Sequence, residues 1–274
     1  MSRVAEYVSS RELIYNLTMR ELRGKYKRST LGWTWSLINP LATMIIYTIV
    51  FSVFLKVQPT TGDPSGLKSF PLFLLCGLLP WNFLAAGLGS TPQALISNAN
   101  LVKKVYFPRE VAVLSMVLAL FVSFLIEMGV FAIVLLVAGN MILPWIPLAL
   151  GLMLIQAVMV LGFGLILSVS NVYFRDIEHF ISIALMALFY SAPIVYPVSV
   201  VPVEKTVLGL TIPVREIYQL NPIVRLIESF RAVLYDLRFP SLGSVVYLLV
   251  WAFGMLVIGL WVFSKADRRL AEEL

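Results

Sequence analysis

The side chains that most often do chemistry are scarce in this chain and stand apart from one another. There is one histidine, His179, and one cysteine, Cys76. Neither a disulfide framework nor a cysteine-based metal site can form within one chain. A metal site needs several His, Asp or Glu at ligand spacing, and none is present in the sequence. His179 stands beside Arg175, Asp176 and Glu178 and reads most simply as a polar residue at a helix end. There is no G-x-S-x-G elbow and no G-x-x-x-x-G-K-[ST] phosphate loop. Gly24-Lys25 is followed by Tyr26 and lacks the partner glycine that such a loop requires. The expectation is a chain that is not an enzyme, with no catalytic residue, no metal and no cofactor of its own.

Two features remain. Glu127 is the one acidic residue deep inside a long apolar run. An intramembrane carboxyl marks either a functional cavity or a protonated, hydrogen-bonded lock between helices, and the two readings weigh equally. The second feature is aromatic. Trp33 and Trp35 open the first apolar run, and Tyr47, Phe51 and Phe54 follow at spacings of four and three. On a regular helix they share a face. That face would serve helix packing, the simpler reading, or line a path on which sugar rings stack. Trp33 and Trp145 read as anchors at a membrane interface.

The elements that position these residues are helices in lipid. The 274 residues are 59% hydrophobic and 13% charged, with mean hydropathy +0.90. A hydrocarbon core about 30 Å thick takes roughly 20 apolar helical residues to cross. Six runs suit that length, at about 33–57, 70–97, 111–138, 146–170, 178–197 and 241–263. Pro71, Pro80 and Pro92 should kink or break the second run. The first 30 residues are polar and basic, with no early apolar segment of the secretory type. Tyr15, Met19, Leu22 and Tyr26 make an apolar stripe on a basic helix there, a pattern suited to the membrane interface and also to a solvated leader. Residues 198–240 are too interrupted to span. Asn221-Pro222 is a strong helix start, and Ile223, Ile227, Phe230 and Leu234 then form a stripe, with Arg225, Glu228 and Arg231 spaced to pair. Short surface or re-entrant helices are expected there.

Charge sets the orientation. Placing both termini in the cytoplasm puts 14 basic residues on that side and 7 outside, in line with the positive-inside rule. The net charge of +6 therefore reads as membrane topology, and no nucleic-acid partner is expected. No internal repeat supports an inverted-repeat transporter.

Three segments carry a family resemblance. They are Arg20 to Trp35 with Asn39-Pro40; Asn100-Leu101-Val102-Lys103-Lys104-Val105-Tyr106-Phe107-Pro108-Arg109-Glu110; and Asn171 to Asp176 with Ala192 to Pro197, Asn221-Pro222 and Glu228-Ser229-Phe230-Arg231. In these the chain resembles the permeases of type-2 ATP-binding-cassette exporters, in particular the branch exporting lipid-linked polysaccharides such as O-antigen, teichoic acid and galactan. The resemblance implies an all-α polytopic fold: a cytoplasmic region 1–32 with an interfacial helix, then a six-span permease domain over 33–274. It implies a coupling loop at 98–110, with Asn100, Leu101, Val102, Lys103, Lys104, Val105, Tyr106 and Phe107 meeting the ATPase. It also implies a Leu31-Gly32 turn into the first span and external gate helices over 198–240.

The resemblance further implies a homodimer in a bacterial cytoplasmic membrane. Two soluble ATPase chains would hold ATP and Mg, and a lipid-linked glycan would pass between the permease copies. Trp35, Tyr47, Phe51 and Phe54 would then line the path. Lys27 and Arg28 would either meet the lipid pyrophosphate or only set topology. Rival readings are a drug or small-lipid exporter of the same family, a secondary transporter or flippase without an ATPase, and a membrane transferase. The last two lack the coupling charges or the acidic clusters they need.

Overall fold

With no water in the hydrocarbon core to satisfy backbone groups, apolar runs of this length must hydrogen-bond internally and so become helices. In the computed structural model, which describes residues 10–25, 34–54, 61–104, 107–207 and 210–273, they do. In chain order come α1 (Arg11–Lys25), α2 (Trp35–Tyr47) with a π-helical continuation over Thr48–Phe54, α3 (Phe70–Ser90) and the short α4 (Ala99–Lys104). Next are α5 (Glu110–Val137), α6 (Ile146–Tyr173) and α7 (Ile177–Ser191). The hairpin strands β1 (Lys205–Val207) and β2 (Leu210–Ile212) precede α8 (Val214–Tyr218) and α9 (Pro222–Arg231), which runs on as a π-helical turn over Ala232–Asp236. The last helix is α10 (Leu242–Glu273).

Four described helical stretches are long and apolar enough to cross a membrane: Phe70–Gln93, Glu110–Val137, Leu143–Tyr173 and Leu242–Ala266. The expected first and fifth spans coincide with two shorter apolar helices, Leu41–Phe51 and Ile177–Ser191. The fifth stops early for a local reason. Ala192 precedes Pro193 and turns extended, at ψ 150°, because the proline ring disfavours helical backbone in the residue before it. The all-α expectation also needs correction between α7 and α10. Alongside two short helices, that region holds an antiparallel hairpin in which Lys205 faces Ile212 and Thr206 faces Thr211.

α3 lies at the centre, packed by α5, α6 and α9. Its prolines fit rather than break it. Pro71 sits in the first turn and Pro80 within the helix. The fully buried Gln156 of α6 donates from Nε2 to the Pro80 carbonyl at 2.7 Å. The kink expected around Pro92 appears instead as a 3-10 turn over Thr91–Gln93. α5 ends in a Schellman motif: Gly139 has φ +87°, its N–H bonds the Leu136 carbonyl, and the Asn140 N–H bonds that of Leu135. The buried Asn140 side chain then donates to the Leu234 carbonyl at 2.7 Å, tying this turn to the end of α9.

α6 and α10 cross with almost nothing between them. A Cβ on Gly162 would lie 2.5 Å from the Leu256 backbone nitrogen, and one on Gly259 would lie 2.5 Å from the Gly162 carbonyl oxygen. Small residues that let backbones meet are the usual device for joining helices in lipid, where the hydrophobic effect contributes little.

Candidate functional site

Two stretches singled out by sequence, the N-terminal helix and the 100–107 loop, meet at one end of the bundle. Leu17 of α1 packs with Phe107 and Val111 in a small core, flanked by Leu13, Ile14 and Leu101. The buried face of α1 thus runs through Leu17, Thr18 and Leu22. This corrects the expected stripe: Leu22 belongs to it, Met19 is half-buried, and Tyr15 is 61% exposed. The helix has two apolar flanks, and the one bearing Leu13, Ile14 and Leu17 wins because α5 covers it.

Polar contacts pin the same corner. Arg20 donates from Nη2 to Asn98 Oδ1 at 2.6 Å and pairs with Glu21 at 2.7 Å. Asn98 is itself buried and donates from Nδ2 to the Ala94 carbonyl at 2.8 Å. Beyond this brace, Asn100 and Lys103 on α4 face outward, Leu101 is half-buried and Phe107 is buried. The arrangement is a short helix held from behind with a polar front. Val102 and Lys104 lie on α4, but their side chains lie outside the described residues. So do Val105 and Tyr106, the Leu31-Gly32 turn, and Lys27 and Arg28.

The aromatics of α2 do not stay on one face. Tyr47 and Phe51 are half-buried, their ring centroids 5.8 Å apart, and Phe51 reaches Phe70 at 4.8 Å. The series continues through Phe73 to Tyr235. Phe54 departs from it and is 72% exposed, while Trp35 is 39% exposed. The reason is the π-helical stretch: its i→i+5 bonding changes the angular step that placed Phe54 in line. Glu127 is half-buried and borders a cleft between α2, α3 and α5.

The opposite end is organised by a residue whose role the spacing did not disclose. Arg231, only 6% exposed, donates from Nη1 to the carbonyls of Pro193 at 2.5 Å and Tyr196 at 3.3 Å, and from Nη2 to that of Ile194 at 2.7 Å. Its guanidinium also lies 3.7 Å from the Phe73 ring centroid. Burial lowers it to about 10, so it keeps its charge at neutral pH. The expected Arg225–Glu228–Arg231 pairing gives way to these bonds. Arg225 donates to the Gln219 carbonyl at 2.7 Å and lies 4.3 Å from the Tyr247 ring centroid. Burial pushes Glu228 above the ordinary carboxylate range, against the pull of Arg231 and Arg238. The helix start itself is as expected: Asn221 Oδ1 accepts from the Ile223 N–H at 3.0 Å, with Pro222 next. The stripe Ile223, Ile227, Phe230 and Leu234 is buried throughout.

Spacing does not disclose the roles of four buried amides: Asn140, Gln156 and Asn171 donate to backbone carbonyls of distant segments, while Asn98 accepts from Arg20 and bonds the Ala94 carbonyl of its own turn. The usable signal was an Asn or Gln inside or beside an apolar run, where a lone polar group must find a partner.

The sequence model of the family described as ABC-2 type transporter matches residues 12–235. The chain is 32% identical over 270 residues to an O-antigen export system permease protein RfbA of Klebsiella pneumoniae, covering 96% of this chain and 95% of the relative. It is 29% identical over 255 residues to an RfbA of Myxococcus xanthus, covering 91% and 92%. It is 24% identical over 261 residues to the polysialic acid transport protein KpsM of Escherichia coli, covering 93% of each.

Proposed function

The chain belongs to the ABC-2 type transporter family, and from that premise we propose that it is the membrane subunit of an ATP-driven exporter of a cell-envelope polysaccharide. The observation that carries this is the end-to-end similarity to O-antigen export permeases, in a chain that has no phosphate loop of its own. The cargo is a lipid-linked glycan. Two copies of the chain form the passage in the bacterial cytoplasmic membrane, with both termini inside. Two soluble ATPase chains, carrying ATP and Mg, dock beneath. Six helices cross, the two shorter ones included.

The corner built by α1, α4 and the start of α5 is the docking point. Its exposed Asn100 and Lys103 are offered to the ATPase, while Arg20–Asn98 and Leu17–Phe107 brace the helix behind them. A load applied to α4 then passes into α1 and α5 instead of bending a loop. At the other end, residues 198–239 form the external gate, and Arg231 fixes the turn after α7 against α3 and α9. Trp35, Tyr47, Phe51 and Phe54 contribute to the glycan path although they do not share one face, with Lys27 and Arg28 at its cytoplasmic edge.

Deleting the chain from its host tests the reading. Lipid-linked glycan should accumulate inside and surface polymer should disappear; retained surface polymer overturns the export function. Docking is tested separately with the Asn100→Glu, Lys103→Glu double variant. Co-purified ATPase should fall about tenfold or more, as losing a few contacts at a small interface costs over about 1.4 kcal/mol. Undiminished co-purification removes α4 as the docking element.

A further inference from the structure

A cleft of about 300 Å³ opens where the end of α9 meets the start of α10, bordered by Glu228, Arg238, Phe239, Ser241 and Ser244. Charges of both signs border it without satisfying each other. Arg238 pairs through Nε with Asp236 at 3.1 Å, and among the described residues its two terminal nitrogens have no partner. Among those residues no hydrogen bond or ion pair reaches the Glu228 carboxyl either. Arg225 and Arg231, its neighbours on α9, are committed to backbone carbonyls. A half-buried carboxylate without a donor is costly, and burial lifts Glu228 above the ordinary range.

The cleft stands at the level of a membrane surface. The apolar stretches of α10 and α6 begin at Leu242 and Leu143, and beside these two starts the rings of Phe239 and Trp145 meet at 4.9 Å. Aromatic rings at span ends sit among lipid headgroups. Along α10 from the cleft run Leu242, Val246, Val250, Phe253 and Val257, each at least 56% exposed. Their spacings of four, four, three and four make one uncovered apolar face.

We infer that the cleft holds the headgroup of a phospholipid carrying both a phosphate and a primary ammonium, with its acyl chains along the outer face of α10. The terminal nitrogens of Arg238 take the phosphate, and the start of a long helix favours an anion beside them. Ser241 donates to Ser244 Oγ at 2.8 Å, so the Ser244 proton is available to a phosphate oxygen. The ammonium supplies the donors that Glu228 lacks. A choline group has no N–H to give it, and a headgroup with phosphate alone brings a second negative charge beside it. The apolar stripe below marks the source as a lipid rather than a soluble phosphate ester. The site needs only these span ends at the membrane surface and holds whatever the cargo.

The full-length chain, stripped of lipid in detergent, is titrated in native mass spectrometry with dioleoyl phosphatidylethanolamine, phosphatidylcholine or phosphatidylglycerol. The ethanolamine lipid should bind about tenfold more tightly than either of the others, the difference one charge-assisted hydrogen bond makes. Glu228→Gln should erase most of the preference over choline, and Arg238→Gln should weaken the ethanolamine lipid about tenfold. Choline lipid bound as tightly overturns the primary ammonium. Glycerol lipid bound as tightly reduces the site to a phosphate contact and overturns the zwitterion. Displacement by equimolar glycerophosphoethanolamine overturns the lipid as source, and a preference intact in both variants removes it from this cleft.

If a variant is not monodisperse, hydrogen–deuterium exchange of the unsubstituted chain decides. In choline-lipid nanodiscs doped with ethanolamine lipid, amides from Arg238 to Val245 should exchange about threefold slower or more than in choline lipid alone, and those of α4 should not change. Equal rates at Arg238 to Val245, or the same slowing in α4, overturn the site.

Discussion

α3 and α7 are both apolar helices, and both are followed by a proline, Pro92 and Pro193. Yet α3 buries 15 of its 21 residues and α7 buries none of its 15. Phe180, Ile183, Met186 and Tyr190 of α7 are each at least 61% exposed, and Phe189 is its aromatic foothold, meeting Trp81 of α3 edge-on at 5.7 Å. Hydropathy alone would have ranked the two as equals. What separates them is neighbours. α3 is gripped on several sides by side chains that reach its backbone, whereas α7 shows its apolar surface to whatever surrounds the chain. In lipid such exposure costs little, because acyl chains are as apolar as leucine. A buried helix carries the architecture, and an uncovered one is available to lipid or to a second copy.

That contrast can be broken experimentally. The largest effect should come from the packed side: Gly162→Val or Gly259→Val forces a side chain into backbone and should cost over about 4 kcal/mol, leaving no monodisperse protein by fluorescence-detected size exclusion. Arg231→Met should follow at about 3 kcal/mol, since it strands the buried carbonyls of Pro193 and Ile194. Thermal unfolding in detergent reads it, and Arg231→Lys should recover only part, lacking the planar fork. Asn98→Ala should cost about 1.5–3 kcal/mol through the lost charged hydrogen bond to Arg20. Its effect should be confined to faster amide exchange in α1.

A milder signature concerns pH. Burial raises Glu228 and Asp236 above their ordinary values of 4.5 and 3.8. The folded state therefore holds these protons more tightly than the unfolded one. Stability at this corner is greatest below those ordinary values and falls as pH climbs through the raised ones. The fall should be shallower in Glu228→Gln. The smallest effect belongs to α7: Ile183→Ala should change stability by under about 0.5 kcal/mol. A loss as large as that of Arg231→Met would mean the two helices do not differ as described.

Much of this was legible in the sequence, and what was not has a physical cause. Apolar runs placed the helix starts to within about two residues, because in lipid no other open-chain structure satisfies the backbone, while several ends differ by six to ten residues, where prolines or a polar tail decide. The Asn221-Pro222 start and the stripe that follows it were readable because a cap and a 3.6-residue period are local. The expected three-residue face of Tyr47, Phe51 and Phe54 failed at the π-helical stretch, where the period itself changes. The interfacial stripe of α1 was misplaced because two flanks were apolar and only the partner helix selects between them. Arg231 was expected to find Glu228, its neighbour on the helix. Instead it serves carbonyls of a turn more than thirty residues earlier, a choice set by tertiary folding. Glu127 stands out in the sequence by its charge, whereas Asn82 does not and Asn39 enters only through the resemblance, although all three border one cleft. Only convergence of three helices makes them a group.

The crossing of α6 and α10 has one more consequence. Where main chain rests on main chain at Gly162 and Gly259, there are no rotamers to reshuffle and no slack to take up. The two helices must therefore tilt as a single beam. Neither can then swing without carrying the other, much as a gatepost moves only with the wall it is built into.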